Sequence, residues 1–331
     1  MNCSTLLLCA LALVLACLAG NSGLAADWIW AKGNLHTHTT NSDGDSAPAD
    51  VAKWYRDHGY QFLVISDHNK VTDIADLDAD PNDGFVLVPG EEVVVLGAKP
   101  PIEANAIGIT EVLAPPHIVG TRSRSLARLV DSIRSAGGVP MVNHPNFNWS
   151  FGHRELLLVK DPYLLEVFNA HPSVNSFGNA AFMPVEQTWD ILLSAGRTVY
   201  AAATDDAHHF KEMKPHLANP GKCWTVVRVS ALTREAILAA LAKGDFYAST
   251  GVELADYGFD GREFKLRVKP REGQKYLIRF VGKWGRILQE TVGNSASYCL
   301  VGKPEPNSYI RCKVIADDGT VAWTQAYRIK D

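Results

Sequence analysis

The chain has 331 residues, 47% of them hydrophobic and 21% charged, with a net charge of −4. That composition is too apolar for a disordered chain and too acidic for a nucleic-acid coat. The length allows one large domain or a barrel-sized domain with a small companion, and eleven histidines stand out against four methionines.

Residues 1–26 carry no charged side chain, and Leu6 to Leu18 form an unbroken apolar run. The run is shorter than the roughly 20 residues of a membrane span and suits a secretory signal peptide, with small residues Gly23, Ala25 and Ala26 before Asp27. Export to a periplasmic or extracellular space is expected, with no transmembrane segment left after signal removal. A lipid anchor at Cys17 is the minor variant, since Val14-Leu15-Ala16-Cys17 loosely follows a lipobox. Removal of the signal leaves Cys223, Cys299 and Cys312. Cys299 and Cys312 flank a turn-rich stretch, and a disulfide between them is expected in an oxidising compartment.

Short apolar runs then alternate with helical patterns. Strands are predicted at 28–35, 62–65, 85–88, 104–109, 139–142, 164–168, 199–203 and 224–229. Helices are predicted at 47–58, with Ser46 as its cap and Pro48 in its first turn, and at 125–135, 185–194 and 232–242. The alternation predicts a parallel sheet closed into a barrel over 27–250. After Gly251 helix signals vanish, and alternating runs at 278–281, 309–315 and 321–323 predict a small antiparallel β domain over 251–331.

The chemistry-bearing residues follow the apolar runs. His36-Thr37-His38 and Ser42-Asp43-Gly44 come after the first, Ser66-Asp67-His68 after the second, and Glu91-Glu92 after the third. Asn143-His144-Pro145, Asn169-Ala170-His171 and Thr204-Asp205-Asp206-Ala207-His208 close three later ones. In a parallel barrel these points share one rim, where barrel enzymes keep their sites. His-x-His on a strand sets both rings on one side. A nitrogen and oxygen donor set without thiolate suits Zn²⁺, Mn²⁺ or Fe²⁺, and a shared glutamate can bridge two ions.

In order, His36-x-His38, Ser42-Asp43-Gly44, Ser66-Asp67-His68, Gly90-x-Glu92, His144-Pro145 and Asp206-x-His208 resemble the PHP (polymerase and histidinol phosphatase) superfamily of metallohydrolases. Glu166-Val167-Phe168-Asn169 and the β-rich tail resemble its secreted, carbaryl-hydrolase-like branch. The resemblance implies a distorted (β/α)7 barrel holding two or three divalent metals. It implies one metal at His36, His38, Glu92 and Asp206, a second at Glu92 and His144, and a third at Asp43, His68 and His208. Either Asn169 or His171 would complete the second. Asp67 would support a ligand rather than be one.

Two adjacent metals lower the pKa of a shared water, which then attacks phosphorus in line. Lys70, Arg122, Arg124, Arg154, Arg197 and Lys211 are the cations available to offset phosphate charge, with Lys70 first because it follows a ligand segment. His209 is the proposed proton donor to the leaving group. The expected activity is phosphoester hydrolysis of a small molecule. The alternatives are hydrolysis of ester, carbamate or amide bonds, and a catalytically silent surface binding module. No basic stripe with interleaved aromatics suggests a nucleic-acid partner.

Overall fold

A computed structural model describes residues 28–77 and 84–329. The export signal and the lipobox at Cys17 lie outside the described residues. Eight strands form the barrel: β1 (Ile29–Asn34), β2 (Phe62–Ile65), β3 (Val86–Val94), β4 (Glu103–Ile107), β5 (Val139–Val142), β6 (Tyr163–Asn169), β7 (Val199–Thr204) and β8 (Trp224–Val229). They lie side by side in the order β8-β1-β2-β3-β4-β5-β6-β7. The Thr225 hydroxyl on β8 bonds the backbone N–H and C=O of Ala203 on β7, so the two ends of the row meet.

The expectation of an all-parallel barrel needs correcting. β1–β2, β2–β3, β5–β6 and β6–β7 pair parallel, whereas β4 is antiparallel to both β3 and β5, and β8 is antiparallel to β1. The cause is local. The β3–β4 connection turns back directly, with Val95 N–H bonded to Ile102 C=O, so no helix intervenes to return the chain. β3 also runs on through Pro89-Gly90-Glu91-Glu92, which puts Glu92 within the strand rather than after it.

Helices α1 (Pro48–Asp57), α2 (Arg122–Ser135), the short α3 (His153–Leu156), α4 (Val185–Ser194) and α5 (Arg234–Lys243) accompany the strands. Pro48 opens α1 as expected. Ser46 is not its cap: Ala47 takes that position without a side-chain bond, and the Ser46 hydroxyl donates to Asp45. Leu126, Leu129, Val130 and Ile133 of α2 bury their helical-period face beside Trp189 and Leu192 of α4. Ala31, Leu35, Phe62, Val64, Val88, Met141 and Leu164 pack together with Ile237 and Leu241 of α5. Arg234 of α5 bonds the Leu87 carbonyl at the start of β3, the end remote from Glu92. Gly33 is required here, since a Cβ would stand 2.3 Å from the Phe62 ring.

The sheet continues past the barrel. β9 (Phe246–Ser249) pairs with β8 and with β16 (Val321–Thr324), which leads to β15 (Tyr309–Ala316), β12 (Tyr276–Gly282) and β13 (Arg286–Val292). A second, three-stranded antiparallel sheet of β10 (Leu254–Phe259), β11 (Glu263–Val268) and β14 (Ser295–Cys299) buries Tyr257, Phe264 and Leu266 against Ile278, Phe280 and Val314. β17 (Tyr327–Arg328) pairs with β15. The disulfide expectation is overturned: Cys299 is an exposed free thiol on one sheet and Cys312 a buried one on the other. Among the described residues, no helix is long and apolar enough to cross a membrane.

One buried ion cluster ties the β region to the barrel. Arg311 on β15, 1% exposed, donates to both Asp190 oxygens and to Glu186 of α4, and Tyr309 donates to Asp190. Burial would raise the Glu186 carboxyl, but Arg311 and Lys313 hold it down to about 2. An Arg311→Met variant should lose about 3 kcal/mol of stability in chemical denaturation, because the buried Asp190 loses its cation and Glu186 keeps only Lys313. Glu186's contribution should be complete above its ordinary value of 4.5 and fade as pH falls toward 2, and the variant should lose much of that acid-dependent slope.

Candidate metal centre

At the rim, the chain packs five imidazoles against buried carboxylates. Glu92 is their meeting point. Its carboxylate lies 3.0 Å from His36 Nε2, 3.2 Å from His38 Nε2, 3.3 Å from His68 Nδ1 and 3.2 Å from His144 Nε2. Asp206 Oδ1 stands 3.3 Å from His36 Nε2 and 3.2 Å from His38 Nε2. Asp43 lies 3.4 Å from His208 Nε2, 3.5 Å from His38 Nδ1 and 3.6 Å from His68 Nε2. Donor atoms converge in four sets: His36-His38-Asp206, His36-Glu92-His144, His38-Asp43-His68-His208 and His68-Glu92-Glu103.

A second layer aims these donors. His36 Nδ1–H donates to Glu166 at 2.7 Å, which leaves Nε2 facing Glu92 and Asp206. Glu166 also accepts from the His144 backbone N–H, the Thr204 hydroxyl and the Asn169 amide. His208 Nδ1–H donates to the Asp206 carbonyl, which leaves its Nε2 toward Asp43. The Asn143 amide donates to Glu92 and to Asn105. Asp67 ties down the ligand-bearing loop, accepting from Thr39 N–H and from the Thr39, Ser42 and Thr72 hydroxyls. His144 and Asp206 hold positive φ values of 20° and 49°, a conformation costly for residues other than glycine that these contacts sustain.

The electrostatics ask for a cation. Burial pulls His38 down, but the Asp206 and Glu92 carboxylates, each 3.2 Å from its Nε2 without hydrogen-bond alignment, outweigh it and lift the ring to about 9. His144 likewise reaches about 9 against burial, through Glu92, Glu166 and Asp206. Burial and the Glu92 charge push Glu103 up to about 7. His38 Nε2 and His68 Nδ1 are buried without a hydrogen-bond partner. Unpaired ring nitrogens beside shared carboxylates are the donor chemistry of N/O-ligated divalent metals, so the residues present fit such ions.

The structure brings His36, His38, Asp43, His68, Glu92, His144, Asp206 and His208 together. It does not bring in Asn169 or His171 as ligands. The Asn169 amide N–H groups face Glu166 and Asp206, and its oxygen accepts from the His171 backbone. His171 Nδ1 accepts from Ser173 N–H. Glu103 stands in their place, 3.8 Å from His144 Nε2. It opens the reversed strand β4, so its N-terminal end reaches the rim that other strands reach with their C-terminal ends. The one available signal was the Glu103-x-Asn105 polar alternation in an apolar run.

Asp205, passed over in favour of Asp206, accepts three backbone N–H groups of 221–223 and the Tyr55 hydroxyl, away from the cluster. Lys70 is exposed and His209 half-buried, and neither lines the metal pocket. Arg122 is spent on Pro100 and Ser150 carbonyls, and Arg197 on Asp161 and Val159. The pocket, about 160 Å³, is walled by Asp43, His68, Glu92, Glu103, His144, Asp206 and His208 with Phe147, His171 and Val174, and His36 and His38 lie outside its lining.

Neither the family models nor the curated proteins contain a match to this chain. Among solved structures, a two-domain protein from Bacteroides vulgatus, described as containing a predicted PHP-like metal-dependent phosphoesterase, aligns over 91% of this chain and 95% of its own, with TM-score 0.50 and 16% identity. The chain has a PHP-type fold. The agreement spans the barrel and the β-rich region together. An amidohydrolase from Chromobacterium violaceum with bound sulfate aligns over 57% of this chain and 94% of its own at 16% identity, but its TM-score of 0.38 is too low to support a comparison.

Glu166→Ala should weaken divalent-metal affinity about 10- to 100-fold in competition with a chelator, because His36 and His144 lose their orienting acceptor. Glu103→Ala should lower metal content and His171→Ala should not.

Proposed function

We propose that the chain is a metal-dependent hydrolase of the PHP superfamily acting on a small phosphorylated molecule. The observation that carries this reading is the convergence of five imidazoles and four carboxylates, delivered by six separate stretches of chain, in and under one walled pocket. Divalent ions held there supply Lewis acidity and lower the pKa of water.

The protein's own part is positional. Glu166 and the Asp206 carbonyl fix the tautomers of His36 and His208, so that both Nε2 atoms face inward. Asp67 and its hydroxyl partners hold the 39–44 turn, with Gly44 fitted under the His38 carbonyl where a Cβ would stand 2.6 Å away. Phe147 and Val174 wall the opening and restrict water. Export and kinship with the carbaryl-hydrolase-like branch belong to the same proposal, supported by residues 1–26 and Glu166 to Asn169.

One observation favours the second reading, hydrolysis of carboxylic esters, carbamates or amides: among the described residues no lysine or arginine lines the metal pocket. Phosphate charge would then be met by the ions alone, while a neutral carbonyl would need no further cation.

Purified protein loaded with Zn²⁺ or Mn²⁺ should hydrolyse p-nitrophenyl phosphate or its bis ester faster than p-nitrophenyl acetate, with His36→Ala losing activity and metal together. Faster acetate hydrolysis selects the second reading. A metal-free protein inert to all three refutes both.

A further inference from the structure

Behind the metal pocket lies a second cavity of about 300 Å³, and His171 and Val174 line both. For scale, a dry cavity of about 150 Å³ holds benzene. The second cavity therefore has room for a substituted ring. Its wall is apolar on one side, from Phe168, Pro172 and Phe177, with the two phenyl rings 5.4 Å apart. Phe177 is 66% exposed, so its ring is accessible to a ligand in the cavity. Lys222 lines the same cavity, and its ammonium donates to one carbonyl, that of Leu217. An ammonium has three donors.

His171 marks the border. Because Ser173 N–H donates to Nδ1 at 3.1 Å, the neutral ring carries its proton on Nε2. A ring in that state is a hydrogen-bond donor and offers no lone pair to a metal. The loop bearing it is held in place: Phe147 bridges to Val174, Asn146 donates to the carbonyls of Asn175 and Met183, and the Trp149 ring stacks on Phe182 at 4.2 Å.

Resting on the hydrolase reading above, the geometry points to this second cavity as the leaving-group subsite, selecting esters whose alcohol is ring-sized and apolar with an anionic end. The scissile bond sits on the metal side of His171. The ring lies against Phe168 and Phe177. The far-end anion meets Lys222, and His171 Nε2–H hydrogen-bonds the bridging ester oxygen and keeps its proton, offsetting charge there as the P–O bond breaks; the leaving oxygen takes up the proton shed by the attacking water.

The test has two independent arms. In the first, 4-hydroxybenzoate, the free alcohol of such an ester, is titrated calorimetrically into wild type, Phe177→Ala and Lys222→Met. Each substitution should weaken binding about tenfold, whether or not metal is loaded. Binding that is absent from wild type, or equal in all three, overturns the subsite even if the protein turns out not to be a hydrolase. In the second, kcat/KM on metal-loaded protein should fall in the order 4-carboxyphenyl phosphate, phenyl phosphate, ethyl phosphate. Lys222→Met should erase the difference between the first two. His171→Ala should keep full metal content and lose more kcat on ethyl phosphate than on p-nitrophenyl phosphate, whose leaving group needs less help. An inverted order, or loss of metal in His171→Ala, contradicts the assignment. Inactivity on every ester with metal bound refutes the hydrolase reading alone and leaves the titration to decide the subsite.

Discussion

The Glu92 carboxylate is buried within 3.3 Å of ring nitrogens from four histidines, and the arrangement of the whole rim follows from that contact. Asp206, Glu103 and Glu166 crowd the same imidazoles. Two like charges about 4 Å apart repel by about 4 kcal/mol at an effective dielectric constant of about 20. Several carboxylates can share such a place when positive charge is interleaved with them. Protonated imidazoles can supply it, and the upward shifts of His36, His38 and His144 express that demand. Divalent ions meet the same demand while leaving the rings neutral and fixed.

The barrel supplies this crowding without filling its centre with charge. Below the rim its interior is apolar, and α5 closes the far end. Six strands run one way; five of them deliver ligands near their C-terminal ends, β6 delivers the supporting Glu166, and the reversed β4 delivers Glu103 from its N-terminal end. Local strain accompanies the placement. His144 and Asp206 sit in the left-handed region, where Glu166 and Asn169 hold them. The β-rich region does not reach the cluster. It is joined to the barrel through β9 and through Arg311 on Asp190 and Glu186, which fastens α4 behind β6 and β7.

Much of this was legible in the chain itself. His36-x-His38, Asp43, His68, Glu92, His144, Asp206 and His208 each follow or end an apolar run, so strand periodicity brings their segments to one rim, while Glu92 over Glu91 and Asp206 over Asp205 rest on the family resemblance. The strands at 62–65, 139–142 and 224–229 match their predicted bounds because buried strands read as plain apolar runs. What escaped depends on direction and tertiary contact. Strand polarity is not written in periodicity, so the sequence pattern does not distinguish the reversed β4 and β8 from their parallel neighbours and does not mark Glu103. His209 is the chain neighbour of His208, and Lys70 follows His68 across Asn69 at φ 50°; neither side chain is brought into the pocket. Cys299 and Cys312 flank a turn yet fall on different sheets, which local spacing does not reveal. The sequence leaves Asn169 and His171 as alternatives for the second metal, because which ring nitrogen of His171 is free depends on one backbone N–H, that of Ser173.

The central claim is that the rim is a multinuclear metal centre organised by Glu92. Anomalous scattering from crystals of the metal-loaded protein tests it most directly. The account predicts at least two peaks within ligand distance of these side chains, one shared by His36, His38 and Asp206 and one beside His144 and Glu103, with Glu92 between them. Ordered side chains with no anomalous peak among them, in protein saturated with Zn²⁺ or Mn²⁺, would contradict it.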